Sequence, residues 1–198
     1  MTNPSEPPLI LGLGGTPRDG SATERALRLC MGAAEAAGAR TRLITAADLL
    51  VPIYTPDPAQ RTAAALRLVA ALRACDGLVI ASPAYHGSVS GLVKNALDYT
   101  EDLRDDPRVY LDGVPVGLIV CAGGCQAGVQ TLTTLRGIVH ALRGWPTPMG
   151  AAINTATGTF DAQGNWSDAA TAQQMHTVAA QVVEFARLRA AARDTVAV

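Results

Sequence analysis

The run Gly77-Leu78-Val79-Ile80-Ala81 and the stretch Ser82–Tyr99 behind it constrain the fold more than any other part of this chain. The run is short, apolar and rich in β-branched residues. That pattern reads as a strand buried on both faces and therefore as a member of a parallel sheet. Pro83 has no N–H for a ladder and biases Ser82 toward an extended conformation, so the strand is expected to stop there. Gly87 and Gly91 permit the turn that follows. From Val89 onward, apolar residues recur at Leu92, Val93, Ala96 and Leu97, the spacing of one helix face, and the expected helix runs to about Asp102.

The same succession repeats along the chain. Leu9–Leu13 is a strand that runs into a loop from Gly14 to Thr23 and then a helix with Ala26, Leu27, Cys30, Met31 and Ala34 on one face. Gly38 stops that helix, and Ala39–Thr45 is the second strand. Ala46–Pro58 is an irregular, proline-bearing connection containing Tyr54, and Ala59–Ala74 is an alanine-rich helix. Val114–Val120 is the fourth strand, ending in a loop over Cys121–Gly128, with a helix over Val129–Leu142. Met149–Ile153 is a short fifth strand. Phe160–Trp166 reads as a turn in which Gly164 supplies positive φ, and Ser167 is the expected cap of a last helix over Asp168–Ala192. Strands alternating with helices make an α/β domain with a five-stranded parallel sheet, order 2-1-3-4-5, and helices on both faces. Residues 9–192 form that single domain, with residues 1–8 and 193–198 as flexible ends.

The whole chain excludes several classes. At 198 residues it buries a sizeable core without disulfides. No apolar run approaches the ~20 residues that cross a bilayer, and no basic segment precedes a signal-type stretch, so the expected location is cytoplasmic. A formal net charge of −1 offers no basic field to nucleic acid and no strong field for docking a protein redox partner. Cys30, Cys75, Cys121 and Cys125 form neither a metal-ligand pattern nor a C-x-x-C pair, and reduced structural thiols are expected. His140 and His176 fall on helices with no chemical partner in sequence.

Order 2-1-3-4-5 gathers three loops at one crevice, where open α/β sheets bind ligands. The first, Gly14–Thr23, fails two phosphate motifs: G-x-G-x-x-G from Gly12 would need glycine at Pro17, and the P-loop lysine is missing. Free N–H groups at a helix start, the hydroxyls of Thr16, Ser21 and Thr23 and the Arg18 guanidinium still suit a phosphate monoester. Helix capping by Ser21 or Thr23 is the competing reading, and it accounts for one hydroxyl of three. The second loop, Pro83-Ala84-Tyr85-His86-Gly87, offers an aromatic ring, an imidazole and backbone N–H groups to a flat heterocycle. In the third, Gly123 and Gly124 let backbone approach a ligand closely.

On these residues the chain resembles the NADPH-dependent FMN reductase family of flavodoxin-like flavin, quinone, azo-dye and chromate reductases. Ser82-Pro83-Ala84-Tyr85-His86-Gly87-Ser88, continuing through Gly91, Lys94, Asn95 and Asp98, is similar to the family's S-P-x-Y-H/N-x-S…G-x-x-K-N-x-x-D signature. Lys94, the chain's single lysine, falls on the signature lysine. Gly15-Thr16-Pro17-Arg18 with Ser21 is similar to its G-S-x-R-x-x-S phosphate loop, with Thr16 in place of the usual serine. Ala84 and the thiols of Cys121 and Cys125 depart from the pattern.

The resemblance implies a three-layer flavodoxin-like sandwich that binds FMN, with NADPH or NADH as co-substrate. Thr16, Arg18, Ser21, Ala22 and Thr23 would hold the phosphate. Pro83, Ala84, Tyr85, His86 and Gly87 would wrap the isoalloxazine edge, with Gly123 and Gly124 on its pyrimidine side. It also implies a homodimer or dimer of dimers, with the helix carrying Lys94, Asn95 and Asp98 at the interface. The expected partners are a small-molecule acceptor and a flavin-dependent monooxygenase. No metal and no catalytic side chain is expected, since hydride transfer to flavin N5 needs no protein acid or base. The alternative is an FMN-binding electron carrier or redox-regulatory module acting through a protein partner.

Overall fold

The computed structural model describes residues 6–157, 160–161 and 166–196. Its elements are β1 (Leu9–Gly14), α1 (Ala22–Ala36), β2 (Arg40–Ile44), α2 (Ala63–Ala74), β3 (Gly77–Tyr85) and β4 (Ser88–Val89). They continue with α3 (Gly91–Asp98), β5 (Pro115–Ala122), α4 (Cys125–Ala141), β6 (Trp145–Asn154) and α5 (Ala169–Val196). The long strands run parallel in the order β2-β1-β3-β5-β6, and two-residue β4 folds back antiparallel on the tip of β3. Leaving out that hairpin strand, this is the expected order 2-1-3-4-5.

Alternation along each strand builds a core on both sides of the sheet. Leu11, Leu13, Leu78, Ile80, Val116 and Leu118 meet Leu68 and Leu72 of α2, Val93 and Leu97 of α3, and Leu135 and Val139 of α4. Their neighbours Ile10, Val79, Ala81 and Ile119 meet Leu27 and Met31 of α1 and Val178 and Val182 of α5. Two-sided burial is why these strands read as continuous apolar runs.

Several details differ from the sequence expectation. Pro83 does not end its strand: β3 continues to Tyr85, with Pro83 in register with Cys121 of β5. The Ala81 carbonyl accepts from Gly15 N at 3.1 Å, so the backbone of Ala81, and of Pro83 two residues on, faces β1. β1 ends at Gly14, opposite Ala81, and the missing N–H of Pro83 therefore deprives no acceptor. Val89 is a hairpin residue rather than the first helical one; Ser90 caps α3, accepting from Val93 N.

The third loop shrinks to Gly123 and Gly124, because β5 runs to Ala122 and α4 starts at Cys125. β6 begins at Trp145, four residues earlier than expected, across a register shift beside Val116–Leu118. Pro146 and Pro148 are tolerated because β6 is an edge strand, and Arg136 of α4 donates to the carbonyls of Thr147 and Pro148.

Asp168 takes the capping role expected of Ser167, its carboxylate accepting from the N–H groups of Ala170 and Thr171. In the stretch expected to be mobile, the Pro8 carbonyl accepts from Arg40 N. The Gly164 turn residue lies outside the described residues. Among the described residues no helix is long and apolar enough to cross a membrane.

Candidate functional site

Because β1, β3 and β5 are neighbours and parallel, their carboxyl ends place all three expected loops side by side. Direct contacts lock them together. Gly15 N bonds Ala81 O, and a Cβ on Gly14, whose φ is +144°, would sit 1.9 Å from that same carbonyl oxygen. Thr155 Oγ1 donates to Ala122 O at 3.1 Å, and Asn154 Nδ2 donates to Cys125 Sγ at 3.7 Å, bracing the third loop from β6.

In the first loop the capping reading holds for Ser21, and further donors lie beside it. Ser21 is the N-cap of α1: its Oγ accepts from Glu24 N at 3.3 Å, while its own proton stays available to a ligand. Thr16 Oγ1 shapes the turn by accepting from Arg18 N and donating to Arg18 O, both at 3.2 Å. The first-turn amides of Ala22 and Thr23 have no acceptor among the described residues, as helix starts leave them. Arg18 is exposed and its guanidinium has no partner among the described residues. An anion here would meet donors that the fold has not already spent.

Glu24 stands three residues after Ser21, the S-x-x-E spacing of a capping box. It is 4% exposed, accepts from Gly20 N at 2.9 Å and is neutralised by Arg28 one turn on. Its carboxylate therefore closes the loop on the Gly20 side, leaving the Ala22 and Thr23 amides open.

The second loop is a two-residue hairpin. Tyr85 pairs with Ser88, and His86 and Gly87 both have positive φ, +52° and +76°, the signature of a type I′ turn. The Tyr85 ring is 56% exposed, a large aromatic surface held at the mouth of the crevice by a short β-ladder. Several signature residues turn out to build this hairpin rather than to face it. Buried Ser82 Oγ accepts from Ser90 N at 3.0 Å and donates to Pro83 O at 2.8 Å, latching the two hairpin strands.

Asn95 accepts from Tyr54 N and donates to Pro52 O, both at 2.9 Å, and Tyr99 Oη donates to Pro52 O at 3.0 Å. With the Arg61–Asp102 ion pair beneath two tyrosine rings, this clamps the Ala46–Pro58 connection against α3. Lys94 pairs with Asp98 on the exposed side of α3. The connection carries no group that sequence alone ties to α3, so its fixed course was not foreseeable there.

The third loop presents backbone alone: a Cβ at Gly123 or Gly124 would meet nothing within 4 Å. That open floor, beside an exposed aromatic ring and next to an anion cradle, fits a flat heterocycle carrying a phosphate. Burial pushes the Cys30 and Cys121 thiols up to about 12 and Cys75 up to about 11, so these three are inert core groups. All four cysteines are free, as expected, and Cys125 is exposed at the start of α4. His140 and His176 lie on α4 and α5, exposed and apart from the three loops. No group of three or more His, Cys, Asp or Glu among the described residues could hold a metal ion.

The model of the NADPH-dependent FMN reductase family matches residues 8–158. An NADPH azoreductase of Bacillus sp. (strain OY1-2) is 34% identical over 86 residues, 43% of this chain and 45% of that protein. An FMN-dependent NADPH-azoreductase of Staphylococcus aureus is 41% identical over 88 residues, 44% of this chain and 40% of that protein. The chain thus spans less than half the length of these curated relatives. Among solved structures, the flavoenzyme NAD(P)H:(acceptor) oxidoreductase FerB from Paracoccus denitrificans superposes with a TM-score of 0.74. It is 21% identical and covers 90% of this chain and 97% of that one. The apo form of an NADH:FMN oxidoreductase, EMOB, gives 0.66 at 20% identity, covering 92% and 89%. At such identities the likeness shows the fold.

Proposed function

This chain belongs to the NADPH-dependent FMN reductase family, and from that premise we propose that it is an FMN-dependent NAD(P)H oxidoreductase serving a small-molecule acceptor. The observation that carries the reading is the juxtaposition of three loops on adjacent parallel strands: an uncommitted anion cradle, an exposed aromatic hairpin and a floor without side chains. In this reading residues 9–192 act as one domain.

Thr16, Arg18, Ser21, Ala22 and Thr23 hold the FMN phosphate. The two open amides and the Ser21 hydroxyl donate from the N-terminus of α1, where the helix dipole favours a dianion, and Arg18 closes over it from solvent. Pro83, Ala84, Tyr85, His86 and Gly87 frame the ring edge, and Gly123 and Gly124 lie on its pyrimidine side, directing backbone N–H groups where negative charge accumulates. Bound there, FMN would supply the redox chemistry of hydride transfer between NAD(P)H and the acceptor.

The chain's own work is to bind, orient and keep one ring face open. No proton-transferring side chain is required of it. Alternation of the two substrates at one open face makes the kinetics ping-pong. Acceptors of the azo-dye, quinone or free-flavin class fit, the first favoured by the names of the similar azoreductases. The reading extends to a cytoplasmic homodimer or dimer of dimers built on α3, and to delivery of reduced flavin to a monooxygenase.

The test is an anaerobic stopped-flow mixture of protein, FMN and NADPH, following the visible flavin band. Rapid bleaching is expected. A protein unable to bind FMN overturns the proposal. Tight binding without bleaching transfers the assignment to an electron-carrier or redox-regulatory module.

A further inference from the structure

At the opposite end of the sheet, where β5 and β6 begin, the fold leaves a second concavity. Its origin is a length mismatch. The 28 residues of α5 span about 42 Å at ~1.5 Å each, whereas the eight of β5 cover about 26 Å at ~3.3 Å each. Burial against the sheet ends at Ala186, and the rest of α5 runs past the strands. Around that point α5 still carries apolar residues: Phe185 and Leu188, 38% and 58% exposed, line one concavity with Trp145, which opens β6 and is 62% exposed.

Together with Pro115 these three large side chains line a cavity of about 210 Å³. Three large apolar side chains thus stay partly exposed side by side around one concavity, the setting in which small apolar ligands bind.

The slot has a charged end. Arg189, one residue beyond Leu188, lines both this cavity and the adjoining one, which Arg193 shares. Its guanidinium lies flat on Gly113, so close that a Cβ there would sit 2.6 Å from Nη2. Other charges nearby are already engaged: Arg73 with Asp106, Arg108 with the carbonyls of Leu72 and Cys75, and Asp76 with the N–H of Leu9. Asp112 also lines the adjoining cavity. Arg189 and Arg193 have no ion-pair partner among the described residues, and arginines outnumber aspartates in the lining of the adjoining cavity.

We propose that this slot is a second binding site, remote from the three loops, for a flat apolar monoanion of the aromatic carboxylate class. The ring enters between Trp145 and Phe185 over Leu188, and the carboxylate takes the Arg189 guanidinium, whose planar fork matches it. Neutral aromatics satisfy the slot alone, and inorganic anions satisfy the arginine alone. Only the combined ligand uses both.

The experiment is isothermal titration of the full chain, with excess FMN present, by naphthalene-2-carboxylate and by naphthalene-2-methanol as the uncharged control. Flavin absorbance recorded in the same samples reports separately on the three-loop site. The expected result is one carboxylate per chain, bound about tenfold more tightly than the alcohol, as one charge-assisted contact warrants. Arg189→Gln should bring the carboxylate to the alcohol's affinity and leave the alcohol unchanged. Trp145→Ala should weaken both, with the flavin spectrum unaltered. Absence of saturable binding overturns the proposal, as does binding that neither substitution changes. Sedimentation showing a self-association that Trp145→Ala abolishes would also overturn it, because a second copy would then cover the face.

Discussion

Replacing Arg18 by alanine isolates the phosphate contribution to flavin binding. Arg18 is exposed and makes no side-chain hydrogen bond or ion pair among the described residues, so its removal leaves folding stability within about 0.5 kcal/mol of the parent, as for ordinary surface positions. A charge-assisted hydrogen bond contributes roughly 1.5–3 kcal/mol. Solvent screens an exposed guanidinium, which argues for the lower end, about 1.5 kcal/mol, or roughly a tenfold rise in Kd.

Riboflavin shares the ring and ribityl chain but lacks the phosphate, so its affinity should not change. The assay is quenching of flavin fluorescence, titrated with FMN and with riboflavin at low and high salt. The parent's preference for FMN should shrink about tenfold in the variant and lose part of its salt dependence. An unchanged Kd for FMN, or an equal loss for both flavins, would refute the placement of the phosphate beside Arg18.

Three further outcomes follow from the same coordinates. Asn95→Ala leaves the Tyr54 N–H without its acceptor, while the Pro52 carbonyl keeps the Tyr99 hydroxyl, and should cost about 1–3 kcal/mol in urea unfolding, with hydrogen exchange accelerated first at Tyr54. The carboxylate of Asp168 is held below the ordinary range by the Thr171 hydroxyl and by the amides of Ala170 and Thr171. Its contribution is therefore present above the unfolded-state value and lost as pH falls through the lowered one. Asp168→Ala should accordingly lower Tm at neutral pH, with the gap closing toward strongly acidic pH. A thiol reagent at mildly alkaline pH should titrate Cys125 quickly in the native protein and reach Cys30, Cys75 and Cys121 only on unfolding, since burial holds those three as neutral thiols.

Much of the fold was legible in the sequence because its signals are local. Two-sided apolar runs such as Leu9–Leu13 and Gly77–Ala81 announce buried parallel strands, and the face spacing of Ala26, Leu27, Cys30, Met31 and Ala34 announces the helix between them. The strands that run on through proline share a cause. Pro83 inside β3 and Pro146 and Pro148 inside β6 depend on which side of each strand has a neighbour, and that neighbour is far away in sequence.

The candidate site divides the same way. Its chemical vocabulary, hydroxyls and Arg18 in one loop, Tyr85 and His86 in another and a glycine pair in a third, is a property of the sequence alone. So is the signature Lys94, Asn95 and Asp98.

What those signature residues do was decided by tertiary structure. Ser82 latches the hairpin, Asn95 fastens a connection more than forty residues upstream, and Glu24 closes one side of the cradle. Each role is a hydrogen bond whose partner is a backbone group, and backbone groups carry no residue-specific mark by which sequence could foretell the pairing. The slot at the other end of the sheet is also tertiary in origin. Trp145, Leu188 and Arg189 are unremarkable apart, and they meet only because α5 is longer than the strands it covers.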